Sequence, residues 1–149
     1  MSPTLLLRIA AALGLLLAAG HSRGAPWTPV RDGPAAILLG SMQSLQMNVM
    51  GARHSYWDFY QGFGLSISAC LFAMALLLWQ LAALARQDAR RLRPLLLTLA
   101  AGYLAVGILG WCYIFVLPLV FGAAIALCIL AAWWQAGRSP GAALSGASA

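Results

Sequence analysis

The sequence has no lysine and no glutamate, and its acidic side chains stop at Asp32, Asp58 and Asp88. With nine arginines added, the charged fraction reaches only 8%, where soluble domains carry about a quarter. So few charges cannot give a chain of 149 residues a polar surface, which excludes water as the surroundings of most of it. The net charge of +6 raises the question of nucleic acid. The arginines fall between apolar runs rather than along one basic stripe, so no nucleic-acid partner is expected. Cysteine is scarce too. Cys70, Cys112 and Cys128 each stand alone in an apolar run, with no C-x-x-C pair and no histidine at zinc spacing. They read as small buried hydrophobes, which argues against a quinone-linked thiol oxidoreductase, whose chemistry needs paired thiols near the membrane surface.

What fills the sequence is hydrocarbon, 62% of the residues. A helix needs about 20 apolar residues to cross a bilayer. The first apolar run, about residues 4–20, meets this if Arg8 snorkels or faces the other helices. Its rival reading is a cleaved secretory signal ending near Ala18, Ala19 and Ala25; the arginine inside the run, instead of ahead of it, favours a retained helix. Residues 21–36 hold Gly24, Pro26, Pro29, Gly33 and Pro34 and read as a loop. Beyond it, Ile37, Leu38, Met42, Leu45 and Val49 recur at helical spacing, which predicts an amphipathic helix at the membrane surface.

The second span is 62–84, free of charge from Gly62 to Leu84 and followed by Arg86, Arg90, Arg91 and Arg93. From Pro94 to Gln135 no charge appears, too long a stretch for one helix and suited to two. The aromatic and proline-bearing stretch Trp111 to Pro118 places the turn, giving spans at about 95–113 and 117–134. Arg8, Arg86, Arg90, Arg91, Arg93 and Arg138 then fall on one side and Arg23, Arg31 and Arg53 on the other, so both termini are expected in the cytoplasm. Ala101, Ala105 and Gly110, with Gly122, Ala126 and Ala131, are spaced for close helix approach, and Ser68, Gln80 and Thr98 read as hydrogen-bonding groups between helices. The expected fold is an all-α membrane protein: a four-transmembrane-helix bundle with an extra amphipathic helix between the first and second spans. Residues 1–138 form a single membrane domain, and the Gly/Ala/Ser-rich 139–149 a disordered tail.

Chemistry has one candidate address, Arg53 to Gly64, at the outer entrance of the second span. If helical, His54, Asp58 and Gln61 share one face, and an imidazole one turn from a carboxylate can act with it as an acid–base pair. Tyr56, Trp57, Tyr60 and Gln61 are the candidate ligand-binding groups. The competing reading is an interfacial anchor in which Tyr56, Trp57 and Tyr60 sit at headgroup depth and Asp58 caps the helix or pairs with Arg53. Met42, Met47, Met50 and His54 could offer soft metal ligands but read as packing, so no metal and no cofactor is expected.

The run HSYWDFYQGFGL, the span ending in LLWQLA, the arginine-rich loop and the turn WCYIFVLP together resemble small four-helix bacterial inner-membrane proteins with a SYWDFYxGFGL-type segment. The resemblance covers about Met42 to Trp134 and implies architecture and location; that family has no assigned activity, so it implies no mechanism. From the residues, three functions compete. The first is a binding or accessory protein whose outer face takes a hydrophobic small molecule or a membrane protein partner, with the lipid bilayer as its constant partner. The others are a membrane enzyme using His54 and Asp58 on a lipid-soluble substrate, and a small transporter subunit. The transporter is disfavoured by the lack of charge at mid-depth in the later spans.

Overall fold

Leucine and alanine run from Pro3 with no residue that forbids a helix, and proline itself suits the first helical turn. In the computed structural model, which describes residues 1–24 and 32–138, this run forms α1 (Pro3–Gly24). Then follow α2 (Pro34–Ser44), β1 (Gln46–Val49), β2 (Ala52–Ser55), α3 (Tyr56–Asp88), α4 (Arg93–Tyr113) and α5 (Leu117–Arg138). Four of the described helices, α1, α3, α4 and α5, are long and apolar enough to cross a membrane, and a short helix lies between the first and second of them. The expected loop at 21–36 falls partly outside the described residues, as does the expected tail at 139–149.

Three boundaries differ from the sequence reading. α1 continues through His21, Ser22 and Arg23 because polar side chains there find partners: the His21 Nε2–H donates to the Gly64 carbonyl at 3.2 Å, and the Ser22 hydroxyl donates to the Ala18 carbonyl at 2.8 Å. The amphipathic helix stops at Ser44, and Gln46 to Ser55 form an antiparallel hairpin. Its two turn residues, Met50 (φ 52) and Gly51 (φ 89), both take left-handed backbone, the pattern of a two-residue turn whose twist matches its strands. Asn48 Oδ1 accepts the Gly51 N–H at 3.1 Å. Helical spacing beyond Ser44 rested on Leu45 and Val49 alone, and cross-strand pairing outweighed it. α3 starts at Tyr56 rather than Gly62, for a reason given with the site below.

The chain divides into two compact units, residues 1–17 with everything from Ala73 onward, and Ala18–Phe72. The first is the helix bundle. Its core is Leu6, Leu7, Ala10 and Ala11 of α1, Leu78, Leu81 and Ala82 of α3, Leu96, Ala100 and Tyr103 of α4, and Ile125, Ala126, Ile129 and Ala132 of α5. On α4 the buried positions Leu96, Ala100, Tyr103 and Gly107 advance by alternating fours and threes, the spacing that keeps one stripe on a neighbouring helix. α4 and α5 approach most closely at Gly107 and Gly122, where a methyl on Gly122 would come within 2.6 Å of the Tyr103 carbonyl oxygen and 3.1 Å of Gly107 Cα. Gly110 similarly faces Pro118.

Gly110, Gly122 and Ala126 thus act as the small-residue spacing predicts, while Ala101 and Ala105 are exposed and Gly107 takes their place. Thr98 donates to the Pro94 carbonyl of its own helix at 3.2 Å, and Gln80 is exposed; neither joins two helices. Ser68 does, with its hydroxyl 3.1 Å from that of Ser22. The cysteines are not buried hydrophobes: Cys70 and Cys112 are exposed and Cys128 is half-buried, all with free thiols.

Alanines and glycines share the helix contacts with buried leucine, isoleucine and Tyr103, while Leu65, Phe72, Trp79, Leu109, Leu127 and Trp134 stand outward. Such an apolar exterior around an apolar core is not the pattern of a soluble protein. Helices in lipid associate through small side chains that admit close backbones, and large apolar groups meet acyl chains. Because α1 supplies Leu6, Leu7, Ala10 and Ala11 to the core, removing it would strip one wall from Leu78 and Tyr103. The intact mass of the membrane-extracted protein is therefore expected to include residues 1–25; a mass short by that stretch would show a cleaved signal instead.

Candidate functional site

The site is built in the second unit by the junction of β2 with α3. Ser55 is buried at the last position of β2 and stands immediately before the first residue of α3. Its N–H and its hydroxyl each donate to Asp58 Oδ2 at 2.8 Å, and the Asp58 N–H donates back to Ser55 Oγ at 3.1 Å. This reciprocal box satisfies donors that a helix start leaves orphaned, and a carboxylate there also meets the positive end of the helix dipole. It explains why α3 begins ahead of the apolar run. The Tyr56 N–H donates to the Leu45 carbonyl at 3.3 Å and closes the base of the hairpin.

The charge-free run of α3 begins after Asp58 and holds from Gly62 to Leu84, so Asp58 stands ahead of it. The Ser55 N–H, then the Ser55 hydroxyl and more weakly the nearby His54 hold the Asp58 carboxyl below its ordinary value, against a smaller opposing effect of burial. It is thus a settled carboxylate with Oδ2 already accepting two hydrogen bonds, which makes it a weak general base.

His54 and Asp58 line a shallow hollow of about 310 Å³ with Phe59, Gly62, Phe63 and Ser66. The helical face expected to carry His54, Asp58 and Gln61 does not exist as such, because His54 lies in β2, opposite Met47. The strand leads directly into α3, and so His54 still reaches the mouth of the hollow. Asp58, Gly62 and Ser66 follow at four-residue intervals on α3, and Phe59 and Phe63 form the neighbouring row, with ring centroids 6.1 Å apart. Gly62 leaves the floor open, with nothing within 4 Å of where its Cβ would stand.

Of the other candidates, Tyr56, Trp57, Tyr60 and Gln61 lie outside this hollow. Trp57 and Tyr60 form a separate tilted pair, 5.6 Å between centroids, and Tyr56 and Tyr60 are exposed, as an interfacial anchor would have them. Asp58 is bonded to Ser55, and the ion pair found among the described residues, Arg91 with Asp88, does not involve Arg53. Sequence reasoning missed Phe59, Phe63 and Ser66. The i, i+4 register from Asp58 would have found Ser66, and the same register from Phe59 would have found Phe63. Among the described residues, no group of three or more histidine, cysteine or carboxylate side chains converges on a point.

Four long apolar helices, large side chains turned outward and a capped, aromatic-rich entrance to α3 define a multi-pass α-helical membrane protein. No protein-family model, curated protein or solved structure matches the chain.

Proposed function

We propose that this chain is a binding or accessory protein of a bacterial inner membrane, with both termini cytoplasmic, whose outer face holds a hydrophobic small molecule or a membrane protein partner. The observation that carries this reading is the hollow itself: two phenyl rings make its wall, and His54, Asp58 and Ser66 offer polar atoms beside them. Such a mixture of apolar wall and few polar groups is what a small hydrophobic ligand or an inserted side chain requires. Phe63 is 64% exposed, so its ring is open to a ligand or partner. α2, of the same unit, buries none of its residues and leaves Ile37 and Leu38 exposed, further apolar surface for a partner. Sidedness follows from the arginine count, and the bacterial location from the resemblance of the HSYWDFYQGFGL segment.

Purification in mild detergent followed by mass spectrometry of bound small molecules and co-purifying proteins tests this. The wild type should retain one such species, and Phe63→Ser should retain about tenfold less, the loss expected when one phenyl contact of about 1.5 kcal/mol goes. Undiminished retention in Phe63→Ser would overturn the assignment of the hollow. Turnover of the bound molecule that stops in Asp58→Asn would favour the acid–base enzyme instead.

A further inference from the structure

Arg8, Arg86, Arg90, Arg91, Arg93 and Arg138 all belong to the unit that holds the helix bundle, where Asp88 is the acidic residue opposing them. Asp88 is already engaged: its Oδ2 lies 2.9 Å from Arg91 Nε, and its Oδ1 accepts the N–H groups of Arg90 and Arg91. Among the described residues no carboxylate pairs with Arg93, and its surroundings sharpen the deficit. It opens α4, whose first turn contains no acidic residue and whose preceding Leu92 supplies no side-chain cap. A helix start is the positive end of the dipole, so a cation placed there is opposed rather than compensated.

The guanidinium of Arg93 is also held in place. It lies over the Trp133 ring at 4.2 Å from the centroid, and a Cβ on Gly137 would be 3.2 Å from its Cζ and 3.3 Å from Nη1. Its Nε is buried and has no hydrogen-bond partner. A guanidinium can only donate, and its planar fork matches the oxygens of a phosphate. One residue beyond Gly137, Arg138 lies over Trp134 at 4.7 Å. On the same two helices, Leu95 and Leu97 of α4 and Leu130 and Trp134 of α5 are exposed apolar groups.

We propose that Arg93, stacked on Trp133 against Gly137, binds the phosphate of an anionic phospholipid headgroup, with Arg138 as a second donor. The exposed leucines of α4 and α5 receive the acyl chains, which is why the occupant is a lipid rather than free phosphate. Basic pockets between membrane helices at the headgroup level are suited to this chemistry.

The test is native mass spectrometry of the full chain in detergent, titrated with phosphatidylglycerol or with phosphatidylcholine of the same acyl chains. The wild type should prefer phosphatidylglycerol about tenfold, and Arg93→Gln should remove about fivefold or more of that preference. Gly137→Ala keeps every charge but displaces the guanidinium, and it should lower the preference comparably; it also serves if Arg93→Gln does not fold. Arg91→Gln should leave the preference within about twofold, because Arg91 is 88% exposed and paired with Asp88. The proposal is overturned by absence of preference in the wild type, or by equal loss in Arg91→Gln and Arg93→Gln, which would mean diffuse attraction. Displacement of the lipid by millimolar inorganic phosphate would overturn the lipid assignment as well.

Discussion

Gly14→Ala is expected to destabilise the purified protein by about 1–3 kcal/mol, the usual cost of an added methyl in a filled core. A Cβ at Gly14 would lie 2.7 Å from the Tyr103 hydroxyl oxygen and 3.1 Å from Ala75 Cβ. Tyr103 is fully buried and cannot swing aside, since neighbours in the core surround it. Its hydroxyl has no hydrogen-bond partner. An unsatisfied buried hydroxyl costs about 1–3 kcal/mol, so Tyr103→Phe alone should stabilise the protein by an amount of that order.

Combining the two gives the sharper measurement. With the oxygen gone, the Tyr103 ring atom nearest the new methyl would be Cζ at 3.5 Å, an ordinary contact, while Ala75 still crowds it. The double variant should therefore regain part of the Gly14→Ala loss beyond additivity, a coupling of about 0.5–3 kcal/mol. Unfolding in detergent with added denaturing surfactant, followed by tryptophan fluorescence, measures all three proteins. Strict additivity, or a destabilised Tyr103→Phe, would show that the hydroxyl has a partner and that α1 is packed differently.

Gly122→Ala should be the more severe substitution, at about 3 kcal/mol or more, because the obstruction is backbone. The new methyl would press on the Tyr103 carbonyl oxygen at 2.6 Å and on Gly107 Cα at 3.1 Å, and neither can rotate away as a side chain could. The only relief is separation of α4 from α5, which also loosens Ile125 and Ala126 in the core. Gly20→Ala is the matched control: it lies in α1 with nothing within 4 Å, and should stabilise by about 0.5–1 kcal/mol through helix propensity. If Gly122→Ala melts within error of the wild type in the same assay, the Gly107–Gly122 approach is not where α4 and α5 are joined.

The Asp58 region shows how far local sequence reasoning reaches. The S-x-x-D spacing of Ser55 and Asp58 is a readable capping signal, and a cap is one of the three expectations for Asp58, beside an acid–base pair with His54 and a pair with Arg53. The hairpin ahead of it was hidden, since the left-handed backbone at Met50 is unusual for a side chain of that size and Met-Gly is a weak turn signal beside Asn-Gly. The hollow was half legible. Asp58 and His54 were marked by their chemistry, whereas Phe59 and Phe63 were indistinguishable by type from the aromatic residues of the anchor.

By itself, the sequence determined that four stretches are apolar enough to cross a bilayer, and where α4 and α5 turn, because hydropathy and proline act over a few neighbouring residues. Only the tertiary structure decided which side of each helix faces inward. Helices that are apolar all round carry no polar face to orient them. Contact between Gly107 and Gly122, or between Gly14 and Tyr103, depends on shape shared by distant segments. The same holds for the Arg93 guanidinium on Trp133, which is set by how α4 meets α5 and not by either helix alone.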